Sequence, residues 1–134
     1  MQVYKRILVT MDCSPVDQVI VDHVALLARQ NEATVTLLHV VHSHTLDQDR
    51  TLREQAWDIL NDHAASLRGN GIDASALLRS GEPETEILAE IEENGYDLVA
   101  MATHGHTLMA AMLLGSVSRT VKRNIQIPLL LLKG

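Results

Sequence analysis

Residues 6–31 read RILVTMDCSPVDQVIVDHVALLARQN, and the change of period inside this stretch decides the fold. Residues 6–11 are an apolar, β-branched run closed by Asp12, Ser14 and Pro15, the pattern of a buried strand that meets a turn. From Asp17 onward the apolar residues recur at helical spacing. Ile20, Val24 and Leu27 fall at i, i+4 and i+7, with Val21, Ala25 and Ala28 beside them, which gives one apolar face. Ser14 is expected as the N-cap and Pro15 in the first turn.

The same alternation runs to the end of the chain. Residues 34–41 (TVTLLHVV) read as a second buried strand. After a polar stretch to Gln48, the series Leu52, Ala56, Ile59, Leu60, His63 and Leu67 marks a long helix stopped by Gly69-Asn70-Gly71. Residues 72–78 form a third strand, more polar and therefore nearer an edge. Gly81 and Pro83 turn the chain into a short helix with Ile87, Leu88 and Ile91 facing inward, ended by Gly95. Residues 97–102 are the fourth strand, Val117 and Val121 sit on a last helix, and residues 127–133 are the last strand.

Five strands alternating with four helices across short connections imply a parallel sheet covered on both faces. The expectation is a doubly wound α/β fold, a five-stranded parallel sheet in one domain over residues 1–134. Such sheets bind ligands outside the carboxyl ends of their strands, where the winding direction reverses. That points to residues 10–14, 40–44 and 102–106.

Composition narrows the function classes. With 11 Lys and Arg against 17 Asp and Glu the formal charge is -6, which disfavours a nucleic-acid partner, because phosphate neutralisation carries non-specific affinity. Tyr4, Trp57 and Tyr96 are the only aromatic residues, too few for base-stacking platforms. The apolar runs are too short to span a bilayer, so no membrane partner is expected. The N-terminus lacks a secretory h-region and Cys13 has no partner for a disulfide, so the expected compartment is the cytoplasm.

The most informative loop is residues 102–116, ATHGHTLMAAMLLGS. A helix beginning near Gly115 presents unpaired N–H groups and a partial positive charge, and Ser116 adds a hydroxyl. Gly105 offers backbone without Cβ bulk. Those features suit a phosphate cradle, and equally a loop that caps a core helix. His42-Ser43-His44 and His104-Gly105-His106 each set two imidazoles at i and i+2 on the same sheet edge, but no cysteine or carboxylate cluster completes a metal set, and none is assigned. His39, inside an apolar strand, is expected to be a hydrogen-bonded core residue. Cys13 is expected to be a small buried residue at the turn rather than a redox sensor. Asp12 also fits a phospho-acceptor site, except that no neighbouring acidic pair or second Asp after the third strand supports it. No nucleophile, base and orienting acid stand at triad-like spacing, so no catalytic residue is assigned and a binding module is favoured over an efficient enzyme.

Taken in order, RILVTMDCS, TLLHVV, GEPETEIL, LVAMATHG, LLGSVS and IPLLLL resemble the universal stress protein family over essentially the whole chain. The resemblance implies a Rossmann-like sheet of order 3-2-1-4-5 that binds ATP, AMP or ADP, with Mg²⁺ accompanying ATP. The family's nucleotide motif runs Gly, two residues, Gly, nine residues, Gly, then Ser or Thr; Ala102, Gly105, Gly115 and Ser116 occupy its positions. The resemblance puts the phosphates on Gly105 and on the backbone of Gly115, Ser116 and Val117. It puts Asp12 and the backbone of Val40 at the adenine end, and Thr10 and Ala102 near the ribose. Ala102 replaces the motif's first Gly, so its methyl would crowd the ligand if that backbone needs positive φ. Thr10 stands where many members have Pro, Cys13 where Gly is usual, and Leu108 where Gly is frequent. His106 replaces a common Arg, which implies ATP affinity that rises as pH falls from 8 to 6. The resemblance further implies a homodimer through the C-terminal strand and coupling to an unknown protein partner. Its alternatives are a dimeric interaction module without nucleotide, or a slow ATP hydrolase.

Overall fold

The computed structural model describes residues 3–42, 45–103 and 117–133. Five strands, β1 (Arg6–Thr10), β2 (Thr34–Val41), β3 (Ala74–Ser80), β4 (Leu98–Thr103) and β5 (Leu129–Lys133), form one sheet of order β3-β2-β1-β4-β5. Every pairing is parallel. Helices α1 (Asp17–Asn31), α2 (Leu46–Gly69) and α3 (Pro83–Glu93) join the first four strands. Residues 117–124, here α4, are helical and precede β5.

The alternation of side chains along each strand sorts the core into two layers. Ile7 and Val9 of β1, and Met11 just after it, pack with Ile20 and Val24 of α1 and with Leu60, Ala64 and Leu67 of α2. On the opposite face Leu8, Leu38, Val99 and Met101 pack with Ile87 of α3 and Val121 of α4. Helices therefore cover both faces, as the doubly wound reading requires. The winding reverses between β1, which leads to β2 on one side, and β4 on the other. At the opposite end of that junction, the Asp97 carboxylate accepts the Lys5 and Arg6 N–H groups at 2.8 and 3.0 Å.

Several boundaries differ from the sequence expectation for identifiable reasons. Ser14 is not the N-cap of α1. The cap is Val16, without a side-chain hydrogen bond, and Pro15 lies before the helix. α2 begins six residues before Leu52, because Thr45 Oγ1 accepts the Gln48 N–H at 3.0 Å and Asp47 and Asp49 complement the dipole in the first turn. β3 begins at Ala74 rather than at Ile72. The Ile72 N–H bonds back to the Leu67 carbonyl and the Gly71 N–H to that of Arg68, a Schellman closure with Gly71 at φ +81°. α3 ends at Glu93, one residue before Asn94 turns extended and two before Gly95. Both β3 and β5 lie at edges.

Candidate functional site

The carboxyl ends of β1, β2 and β4 bring Thr10, Asp12, Val40 and Ala102 to one edge of the sheet. Thr10 is in register with Leu38 of β2 and Met101 of β4. The Met11 N–H continues the ladder to the Leu38 carbonyl at 2.7 Å. His39 donates from Nδ1 to the Met11 carbonyl at 2.8 Å, since a carbonyl oxygen only accepts. It is thus the hydrogen-bonded residue expected, and it pins the start of the loop that carries Asp12.

That loop is built around a residue the sequence reading passed over. Asp17 is fully buried; its Oδ1 accepts the Asp12 N–H at 2.9 Å, and its Oδ2 accepts those of Cys13 and Ser14 at 2.7 and 3.3 Å. Burial pushes the Asp17 carboxyl above its ordinary value against the pull of these bonds, and the Asp12 charge adds to the rise. The three loop amides, which would otherwise offer an anion nest, are committed internally. Ser14 Oγ donates to Asp12 Oδ2 at 3.2 Å. The Ser14-x-x-Asp17 spacing is that of a capping box and was the available signal.

Cys13 sits at φ +58°, in the left-handed region that favours glycine. Burial, followed by the Asp17 and Asp12 charges, pushes its thiol up to about 12. At neutral pH it is a protonated thiol packed against the α1-side core rather than a reactive thiolate. Ala102 is also buried, in the same core layer. Its backbone has no positive φ, and its methyl packs within that core layer.

Val117 belongs to α4 and packs on the layer containing Leu8 and Met101. Gly105, His106, Leu108, Gly115 and Ser116, with His44 and His104, lie outside the described residues. Among the described residues no group of three or more His, Cys, Asp or Glu side chains is placed to hold a metal ion, and no helix is long and apolar enough to cross a membrane.

On the β3 side of β2, a groove of about 500 Å³ is lined by Val41, His42, Thr45, Asp49, Ser80 and Glu82, among others. Its wall is a second feature missed from sequence. The Gly81 N–H donates to the Val41 carbonyl at 3.0 Å. His42 donates from Nδ1 to the Gly81 carbonyl at 3.3 Å and lies 3.7 Å from Glu82. Beneath it Arg79 reaches Glu86, Glu90 and Glu93 of α3 at 2.9, 3.0 and 3.3 Å. Glu90, almost fully buried, also accepts from Asn94 Nδ2 at 2.7 Å and from the Tyr96 hydroxyl at 2.6 Å. Burial first, then this bond, pushes Tyr96 up to about 12. The only sequence trace of the cluster was Glu86, Glu90 and Glu93 recurring along one side of α3.

Residues 3–133 match the model of the universal stress protein family. A universal stress protein of Methanothermobacter thermautotrophicus is 31% identical over 132 residues, covering 90% of this chain and 89% of that one. The solved structure of MJ0577, a universal stress protein of Methanocaldococcus jannaschii, superposes with a TM-score of 0.85 at 27% identity, over 98% of this chain and 97% of its own. Two more distant structures share the fold. One is a universal stress protein in complex with cAMP (TM-score 0.75, 20% identity, 98% of each chain). The other is that of Archaeoglobus fulgidus in complex with dAMP (TM-score 0.73, 21% identity, 97% of this chain and 98% of that one).

Proposed function

The chain belongs to the universal stress protein family, and from that premise we propose that it is a regulatory module that binds an adenine nucleotide at the β1/β4 reversal. ATP, ADP or AMP lies across the carboxyl ends of β1, β2 and β4. Asp12 and the Val40 backbone meet the base, Thr10 and Ala102 flank the ribose, and Gly105, His106, Gly115, Ser116 and Val117 receive the phosphates. Mg²⁺ arrives with ATP and is not held by a protein cage. The module works as a homodimer through β5 and passes its state of occupancy to a protein partner.

The observation that carries this reading is the gathering of Thr10, Asp12, Val40 and Ala102 at the reversal point, the place where open α/β sheets take ligands. The amides of Asp12, Cys13 and Ser14 are already bonded to Asp17, and two carboxylates stand there. That end repels phosphate and suits an uncharged base with hydrogen-bond donors. The negative tail is then left to Gly105, Gly115 and Ser116, whose lack of side-chain bulk and place before α4 in the sequence suit an anion. The cAMP and dAMP complexes of the two distant relatives support the adenylate class.

Thermal melting tests the reading. At a hundred times Kd a ligand selective for the folded state adds about 2.7 kcal/mol, which for a domain of this size raises Tm by about 8 °C. ATP, ADP or AMP should give such a shift, and Gly115→Val should remove it. No shift with any of the three at millimolar concentration would overturn the proposal.

A further inference from the structure

We propose that Arg79 is a positioning residue for the base end of the nucleotide site, fixing residues 40–42 from the β3 side through Glu86 and the Gly81 turn. The inference rests on the reading above that Val40 meets the base. Arg79 is the direct register partner of Val40, and Val40 packs on the core layer that holds Ile87 of α3. The next residue, Val41, gives its carbonyl to the Gly81 N–H, and the one after, His42, holds the Gly81 carbonyl. Three consecutive residues at the end of β2 are therefore held by the segment 79–81 and the helix that follows it.

The hold depends on Arg79. Its Nε bonds Glu86 at 2.9 Å, while Nη1 bonds Glu90 and Glu93 at 3.0 and 3.3 Å. Only a planar fork reaches three carboxylates along one helix in this way; an ammonium does not. Glu86 in turn lies against Gly81. A Cβ on Gly81 would come within 3.2 Å of Glu86 Cγ, and Gly81 itself is at φ +139°. The turn that grips β2 is thus clamped between the Arg79–Glu86 pair and the strand. Because losing one aligned hydrogen bond to the base lowers affinity about tenfold, loosening the clamp acts on the base and leaves the phosphate end as it was.

Isothermal titration of the full chain with ATP, GTP and inorganic tripolyphosphate tests this, with circular dichroism to confirm folding. Arg79→Met and Glu86→Ala should each weaken ATP about tenfold, narrow the ATP-to-GTP ratio, and leave tripolyphosphate within about twofold. Glu86→Gln, which keeps an acceptor for Nε, should restore ATP affinity; Arg79→Lys should not. If Arg79→Met fails to fold, Glu86→Ala carries the test alone, since it leaves Glu90 and Glu93 on Arg79. Folded variants with unchanged ATP affinity, or with equal losses for ATP and tripolyphosphate, overturn the positioning role. A wild-type protein that binds no adenine nucleotide overturns this inference together with the function it rests on. Wild-type ATP binding with indifferent variants overturns the positioning role only.

Discussion

Asp17 shows how one side chain settles what a whole loop is free to do. By accepting three successive backbone N–H groups it shapes the loop that presents Asp12, and it does so from a fully buried position. Burial raises its folded pKa above the unfolded 3.8, so the folded state binds this proton more tightly than the unfolded state does. The contribution of that group to stability is fully present below the unfolded pKa and is lost as pH rises through the raised folded value. The urea midpoint of the wild type relative to Asp17→Asn should therefore move in favour of the wild type as pH is lowered from 7 to 4. A difference that moves the other way, or stays flat, would show that the three N–H bonds outweigh desolvation. The apolar runs make the segments 10–14, 40–44 and 102–106 at the carboxyl ends of strands legible, and the family resemblance singles out Thr10, Asp12, Val40 and Ala102 within them. Asp17 was hidden, since an Asp at the head of a helix reads first as a dipole partner.

At the scale of elements, periodicity located the strands and helices, and local hydrogen bonding set their ends. The start of α2 escaped because Leu46, its first residue, is 90% exposed and adds nothing to the apolar stripe, while the Thr45–Gln48 cap is a two-residue signal. The start of β3 was read early because Ile72 is apolar and buried, yet its N–H serves the end of α2. α1 ends with Glu32 in the left-handed conformation at φ +52° and the Ala33 N–H on the Ala28 carbonyl at 2.9 Å. A side chain there costs about 1 kcal/mol relative to glycine, and Glu32 is exposed. Glu32→Gly should raise unfolding free energy by about 0.5–1 kcal/mol, read as an increased urea midpoint at unchanged m. A decrease would mean that contacts of the Glu32 side chain exceed the strain. The β3–α3 clamp was illegible as a unit, because Arg79 and its three carboxylates acquire meaning only when parallel pairing brings strand 3 beside strand 2.

For the molecule as a whole, alternation implies a parallel sheet covered on both faces, while the strand order 3-2-1-4-5 is what the family resemblance implies, and it is the order observed. β5 pairs with β4 and is the terminal strand of the sheet among the described residues, with Leu131 at 45% exposure. An apolar edge of that kind invites pairing. Sedimentation should give twice the chain mass for the wild type and the chain mass for Leu131→Lys, with unchanged circular dichroism; a monomeric wild type would remove the proposed dimer.

The position of β1 has a kinetic consequence. Its neighbours are β2, close in sequence, and β4, just before which the Asp97 carboxylate accepts from amides 91 and 92 residues upstream. Long closures of that kind slow folding and come late. The first three strands can zip together sequentially, while the crevice between β1 and β4 exists only once the second half has docked. A small molecule seated there has nothing to grasp on a half-folded chain. It therefore cannot rescue or trap such intermediates, and should slow unfolding without accelerating refolding.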